Sequence, residues 1–276
     1  MIKIKKVLQI ANKEILDLLN SKIIVFILAF YILMFISNVY FMNIKNDYLP
    51  HDANSYLTDL SNILSFYGSA IIIVIGSYSI FKEKDNSSLN VMVCKPVYRD
   101  TIINGKLIGI YAFMIFLILF SAIFYLSMAL VFFRNAIGDS LILFIGKLPL
   151  VFMFSLLSMS IFLAISMLLS ILIFEKGLAI FSSFIIWVIS MVDIHNIVIA
   201  GYLGNFVETQ FGLYVDSVTR CISSLSPITT SSIIMSNSND IFITLANCKF
   251  DLLRLLIFSI VPLIFMHIAF TRRDIT

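Results

Sequence analysis

Runs of about twenty apolar residues with hardly a charge inside them recur along the chain, over roughly 23–42, 61–81, 107–133, 148–174, 178–199 and 252–270. A bilayer hydrocarbon core about 30 Å thick is crossed by roughly 20 helical residues, so this pattern predicts six transmembrane helices and an all-α integral membrane protein. Ahead of them, residues 1–21 repeat apolar positions at helical rather than continuous spacing. Ile4, Val7, Leu8, Ala11, Ile15, Leu18 and Leu19 share one face, with Lys3, Lys6, Lys13, Glu14 and Asp17 elsewhere. Such an amphipathic helix lies in the membrane interface instead of spanning it.

The polar connections between the runs divide into two kinds. Residues 82–106 form a long basic loop in which Asp85-Asn86-Ser87-Ser88 supplies capping side chains ahead of the apolar stretch Leu89 to Val93, and Pro96 stops it. A short helix lying on the membrane face is expected there. The turn Glu175-Lys176-Gly177 is minimal. Residues 200–250 are rich in Ser, Thr and Asn and are interrupted by short apolar runs at Ile233 to Met235 and Ile241 to Leu245, predicting short helices that lean on the outer leaflet. No internal repeat or low-complexity tract breaks the chain, which reads as a single transmembrane domain over 1–276.

Composition agrees with the pattern: 60% of the 276 residues are hydrophobic, only 13% are charged, 26 are Phe, and the mean hydropathy is +1.02. That leaves too little polar surface to coat a water-soluble globule. Charge then sets the orientation. Residues 1–22, 82–106, 175–177 and 271–276 hold 13 of the 19 Lys and Arg residues. Basic flanks are retained on the cytoplasmic side, so both termini are expected in the cytoplasm, and the sequence pI near 8.7 needs no nucleic acid to explain it. The first apolar run follows about 22 charged, amphipathic residues without a small-residue cleavage pattern, so it is expected to stay as a span. Cys94 falls in a cytoplasmic loop; Cys221 and Cys248 share the large outer loop, where they either pair or remain two separate thiols.

The spans lack the chemistry of a gradient-driven carrier, which needs ionisable groups deep in the membrane. Asp193 and His195, near the outer end of the fifth run, offer two metal ligands without a third, a spacing equally served by a solvated interface pair. No G-x-x-x-x-G-K-[ST] phosphate loop occurs; Gly146-Lys147 is followed by Leu148 and falls in a short outer connection. H-E-x-x-H and G-x-S-x-G are likewise absent, so no enzymatic activity is expected of this chain. Small and hydroxylated residues do recur at helical spacing. Ser65, Gly68, Ser69, Gly76 and Ser77 lie in the second run, and Ser155, Ser158, Ser166 and Ser170 in the fourth, an arrangement that favours close helix packing over a substrate lining.

The stretch G-S-Y-S-I-F-K-E-K-D-N-S-S-L-N-V-M-V-C-K-P-V-Y-R-D-T-I-I-N-G-K-L-I-G resembles the signature of type-2 ATP-binding-cassette exporter permeases. Glu83, Leu89, Pro96, Val97, Arg99, Gly105, Lys106 and Gly109 occupy the matching positions, while Asn86-Ser87-Ser88 stands where that family usually has a glycine. The opening A-N-K-E-I-L-D-L-L-N-S-K is similar to the family's amphipathic elbow helix. S-I-L-I-F-E-K-G-L-A with Trp187 and Asp193 is similar to its fourth and fifth spans. Trp187 followed by Asp193-Ile194 most resembles the branch concerned with nitrous-oxide-reductase maturation. The resemblance implies a membrane subunit in a prokaryotic plasma membrane, paired with a second copy of itself and driven by two separate ATPase subunits that hold ATP and Mg. It also implies coupling through Glu83, Leu89, Pro96 and Arg99 in the long loop, with Glu175 and Lys176 as a second contact. Two other readings stay open: a membrane assembly or regulatory subunit that transports nothing, and a gradient-driven carrier or channel.

Overall fold

A computed structural model describes residues 2–22, most of the residues between 25 and 37, and residues 53–85, 99–132, 141–191 and 249–272. The described residues are helical apart from the turns at 20–21 and 173–175, with no strand among them. The helices are α1 (Ile2–Leu19), α2 (Ala53–Asp85), α3 (Arg99–Phe132), α4 (Leu141–Leu172), α5 (Lys176–Met191) and α6 (Lys249–Arg272), with further helical residues between 22 and 37. Four stretches are long and apolar enough to cross a membrane: Leu57–Lys82, Asp100–Met128, Phe144–Leu172 and Leu252–Thr271. They correspond to the second, third, fourth and sixth predicted runs. The fifth run is described only as far as Met191, and the first is described in part.

The helices overrun the apolar runs at their ends. Residues 82–85 and 99–106, assigned to a loop, continue α2 and α3, so Gly105 and Lys106 sit on a helix. Gly146 and Lys147, assigned to an outer connection, lie inside α4, where Lys147 is buried. Hydropathy marks only the length of helix a bilayer can hold, whereas the helical backbone continues wherever packed neighbours support it. Between α1 and the helical residues that follow, Asn20 and Ser21 break the run. The Ser21 carbonyl accepts the Val25 amide at 3.3 Å, the first bond of the next helix, as expected of a capping residue.

The bundle is built on α2 and α4, its most extensive pairing. Ser65, Gly68, Ser69, Gly76 and Ser77 of α2 and Ser155, Ser158, Ser166 and Ser170 of α4 are all buried. A Cβ at Gly76 would press on Ser166, Leu163 and Met167, and one at Gly68 on the Met159 side chain. The small residues therefore act as predicted, by bringing two backbones close. α5 joins through Trp187, and α6 lies on α4 with most of its surface uncovered, exposing Leu253, Phe258, Val261, Ile264 and Phe265. On α3, Phe116, Phe120 and Phe124 stack in a ladder with centroids 6.4 and 6.2 Å apart, and Ile115, Leu119 and Ile123 are also exposed. Apolar surface on this scale is compatible with lipid as solvent and not with water.

α1 lies across α3 at a saddle made by Gly105 and Gly109, four residues apart and so on one face. A Cβ at Gly105 would sit 2.7 Å from the Ile10 Cβ and 3.1 Å from the Val7 carbonyl oxygen; one at Gly109 would sit 2.9 Å from the Ala11 carbonyl oxygen. Backbone cannot step aside as a side chain can. Gly109→Ala should therefore cost about 1–3 kcal/mol from overpacking, more than its gain in helix propensity. Gly68→Ala, which presses only on the flexible end of Met159, should stay within about 1 kcal/mol of the parent. Thermal unfolding of the two variants in detergent, followed by circular dichroism, checks the order; equal melting temperatures would refute the saddle.

Candidate functional site

Among the described residues, charged side chains gather at one end of the bundle, where the last turns of α2, α4 and α6 lie near the first turns of α3 and α1 packs on α3. The segment between α2 and α3 emerges from this end, so its two stems, the last turn of α2 and the first turns of α3, are the described parts of the predicted coupling loop.

Each stem is tied to a neighbour by a polar bridge. On the α3 stem, Lys106 is 2% exposed, and its Nζ donates to Glu14 Oε2 at 3.1 Å, to the Ser79 carbonyl oxygen at 2.9 Å and to Ser79 Oγ at 2.9 Å. Ser79 Oγ in turn donates to Glu14 Oε1 at 2.6 Å, closing a triangle between α1, α2 and α3. An ammonium and a carboxylate removed from water are tolerable only when paired and hydrogen-bonded like this. On the α2 stem, Lys82 pairs with Asp17 of α1 at 2.8 Å, about one-third exposed on both sides.

Two further bridges reach the other helices. Lys84 Nζ donates to the carbonyl oxygens of Ser170 at 2.5 Å and Ile173 at 3.2 Å, where α4 leaves its last carbonyls without helical partners. Its charge also lies 4.8 Å from the Phe81 ring centroid and 5.7 Å from that of Phe174. Lys84 thus joins the α2 stem to the turn containing Glu175. On the far side, His267 Nε2 of α6 lies 4.0 Å from Asp100 Oδ1 of α3.

Of the residues predicted to couple, Glu83 closes the last turn of α2 and Arg99 opens α3. Leu89 and Pro96 lie outside the described residues, as do Asp193, His195, Cys221 and Cys248, and with them the short helix expected over 89–93. Glu175 and Lys176 are exposed in the turn between α4 and α5, where the Glu175 carbonyl accepts the Ala179 amide at 3.1 Å and so starts α5. Gly177 beside them has open space around it.

Gly105, Lys106 and Trp187, which the resemblance singled out without a role, are packing devices here. The first two seat α1. Trp187 is buried against Phe66, centroids 4.6 Å apart, and donates its indole N–H to Ser69 Oγ at 2.7 Å, fixing α5 to α2. Two partners escaped the sequence reading. Glu14 was placed with the polar positions of α1, yet it faces the bundle, while Leu8, Leu16 and Leu19 are exposed. The signal was the spacing 7, 11, 14, 18, in which Glu14 completes a heptad-like stripe with Val7, Ala11 and Leu18. Ser79 carried no signal of its own. Among the described residues no group of three potential metal ligands occurs.

The sequence profile of ABC-2 family transporter proteins matches residues 8–275, nearly the whole chain. The chain belongs to that ABC-2 transporter family. No curated protein matches it. Membership makes it a multi-pass membrane protein of the type that serves as the permease subunit of an ATP-binding-cassette transporter, a role normally non-enzymatic, with the ATPase in a partner.

Proposed function

We propose that this chain is the membrane subunit of an exporter, crossing a prokaryotic plasma membrane six times with both termini in the cytoplasm. Two copies pair, and two ATPase subunits carrying ATP and Mg dock on the loop that begins at Glu83 and ends at Arg99, touching Leu89 and Pro96, with Glu175 and Lys176 as the second contact. The chain itself hydrolyses nothing and holds no cofactor. The observation that carries this reading is the bracing: the α3 stem is bonded to α1 and the α2 stem to α1 and α4, so a push on the loop moves helices rather than bending a tether. Rigid-body alternation requires such firm joints. The likeness of Trp187 and Asp193-Ile194 to the nitrous-oxide-reductase maturation branch is the finer placement we favour within the family. An assembly subunit that docks a partner without transporting anything is the second reading, since the bracing would serve it equally.

Cys94 tests orientation and docking together. With Cys221 and Cys248 replaced by Ser, a membrane-impermeant maleimide should label Cys94 in inverted vesicles and not in intact cells. Bound ATPase should slow that labelling several-fold, and Glu83→Lys should abolish the protection. Labelling from outside the cell would overturn both topology and mechanism.

A further inference from the structure

We propose that α2 and α4 hold a small cluster of bound water between them, in a site built by the hydroxyls of Ser61 and Ser65 on α2 and of Ser155 and Ser158 on α4. The ligand is water itself, and the site lies within one chain, away from the stems of the loop.

A serine inside a helix commonly turns its hydroxyl back to a carbonyl one turn earlier. In this chain Ser69, Ser121, Ser160, Ser166, Ser183 and Ser259 all do so, donating to the carbonyl oxygen three or four residues before at 2.7–3.0 Å. Ser61, Ser65, Ser155 and Ser158 do not. Their Oγ atoms have no hydrogen-bond partner among the described residues, as is also true of Ser77 and Ser170, and the four side chains are only 0–1% exposed. Ser69 and Ser166 belong to the same two helices, so the geometry of α2 and α4 does not forbid the back-bond. A hydroxyl withdrawn from lipid, from bulk water and from its own backbone costs free energy unless something polar meets it. Alanine would pack the helices as closely without that cost.

The four hydroxyls share one stretch of the seam. Gly68 of α2 meets Met159 of α4 and, further along, Gly76 meets Leu163, Ser166 and Met167, so the two helices run in the same direction. Ser61 and Ser65 precede Gly68 by seven and three residues, a spacing that puts them on the face Gly68 turns to α4. Ser155 precedes Met159 by four residues and Ser158 adjoins it. All four therefore lie just before the Gly68–Met159 contact, while Ser77 and Ser170 lie beyond the contact at Gly76. A buried water needs about two to four polar partners, and hydroxyls from two facing helices supply them. Each hydroxyl both donates and accepts, so bridging water meets every unmade bond without bringing a charge into the membrane. Two turns nearer the start of α4, Lys147 is buried as well, which extends the polar character of this region toward the end of the helix.

The test is pulsed X-ray footprinting of the full chain in lipid nanodiscs, in which hydroxyl radicals form from water, bound water included, and oxidise the side chains beside it. Met159 is the reporter, because it is 0% exposed yet lies against Gly68 at the edge of the proposed cluster. Mass spectrometry reads its conversion to the sulfoxide. In the parent, Met159 should oxidise several-fold faster than in the variant Ser61→Ala, Ser65→Ala, Ser155→Ala, Ser158→Ala, whose apolar walls hold no water. That variant gives up no bond between protein groups, so it should fold, with Trp187 emission matching the parent. Ser65→Ala with Ser155→Ala, a milder change, should give a smaller loss of oxidation in the same direction. The proposal is overturned if Met159 stays unoxidised in the parent, which makes the seam dry. It is equally overturned if Met159 oxidises at one rate in the parent and in the folded variants, since the hydroxyls would then hold nothing that reaches it.

Discussion

Lys106→Met should lower the stability of the detergent-solubilised protein by about 3–5 kcal/mol, because it strands the Glu14 carboxylate, 12% exposed, in a site built for an ammonium. Ser79 Oγ still donates to Glu14, but one neutral hydroxyl does not replace a charged donor. Neutralising the partner as well should recover most of the loss: Glu14→Gln with Lys106→Met removes the unpaired charge and keeps the side-chain volume. The double variant is then expected to lie well above the sum of the single ones, with a coupling of about 0.5–3 kcal/mol. Lys82→Met supplies the internal comparison. Its pair with Asp17 is about one-third exposed, where water compensates for a lost partner, so the cost should be about 0–1 kcal/mol. Denaturant or thermal unfolding followed by circular dichroism measures all four. Equal losses from Lys106→Met and Lys82→Met would mean that the buried triangle contributes no more than a surface pair.

This contrast shows where the sequence was informative and where it fell silent. The positions of the membrane-crossing stretches within α2, α3, α4 and α6 were legible because a membrane-spanning helix obeys one strong constraint, that its length of apolar residues match the bilayer. The small residues of α2 and α4 were legible for a related reason: lipid gives helices no hydrophobic reason to associate, so close approach must be written in glycine and serine. The end of the bundle was harder to read. Helices run on past the apolar runs into charged sequence, and hydropathy assigns those turns to loops. Lys106 and Glu14, 92 positions apart, look like two ordinary interface charges until the fold places one against the other. Glu14 did carry a local sign, since it interrupts an apolar stripe at a position where the period demands a buried residue. Lys147 shows the limit of such signs, because nothing near it in sequence announced burial inside α4.

The resemblance and the structure also weigh the same residues differently. Gly105 and Lys106 belong to a motif whose other members, Glu83 to Arg99, lie at the loop, and the resemblance implied coupling for the loop members alone. In the fold they separate. Glu83 and Arg99 stand at the mouth of the stems, whereas Gly105, Lys106 and Gly109 lie up to three turns further along α3, under α1. One motif thus contains a part at the loop and a part that seats α1 on α3.

Trp187 is the largest buried side chain of α5 and packs against α2, so Trp187→Ala should be the other costly substitution, at about 3–5 kcal/mol. The indole fills the space between Phe66 and Phe184, with centroids 4.6 and 5.9 Å away, and packs with Ile73 and Phe162. Cutting it back to a methyl group loses those contacts and opens a void that the surrounding rings cannot close without moving α5. Ser69→Ala tests the polar half of the same joint. Ser69 Oγ accepts from the indole N–H while donating to the Phe66 carbonyl at 2.9 Å, so removing it leaves a buried donor unpaired at a cost of about 1–3 kcal/mol. Trp187 is the only tryptophan in the chain, which lets its own fluorescence report the result. Ser69→Ala should shift the emission to shorter wavelength, as the excited indole loses its hydrogen-bond acceptor, and should lower the unfolding temperature less than Trp187→Ala does. Because α5 begins in the turn that carries Glu175 and Lys176, a loosened joint at Trp187 should also raise the protease sensitivity of that turn in the folded protein. Cleavage there at the parental rate would show that α5 is held by something other than this ring.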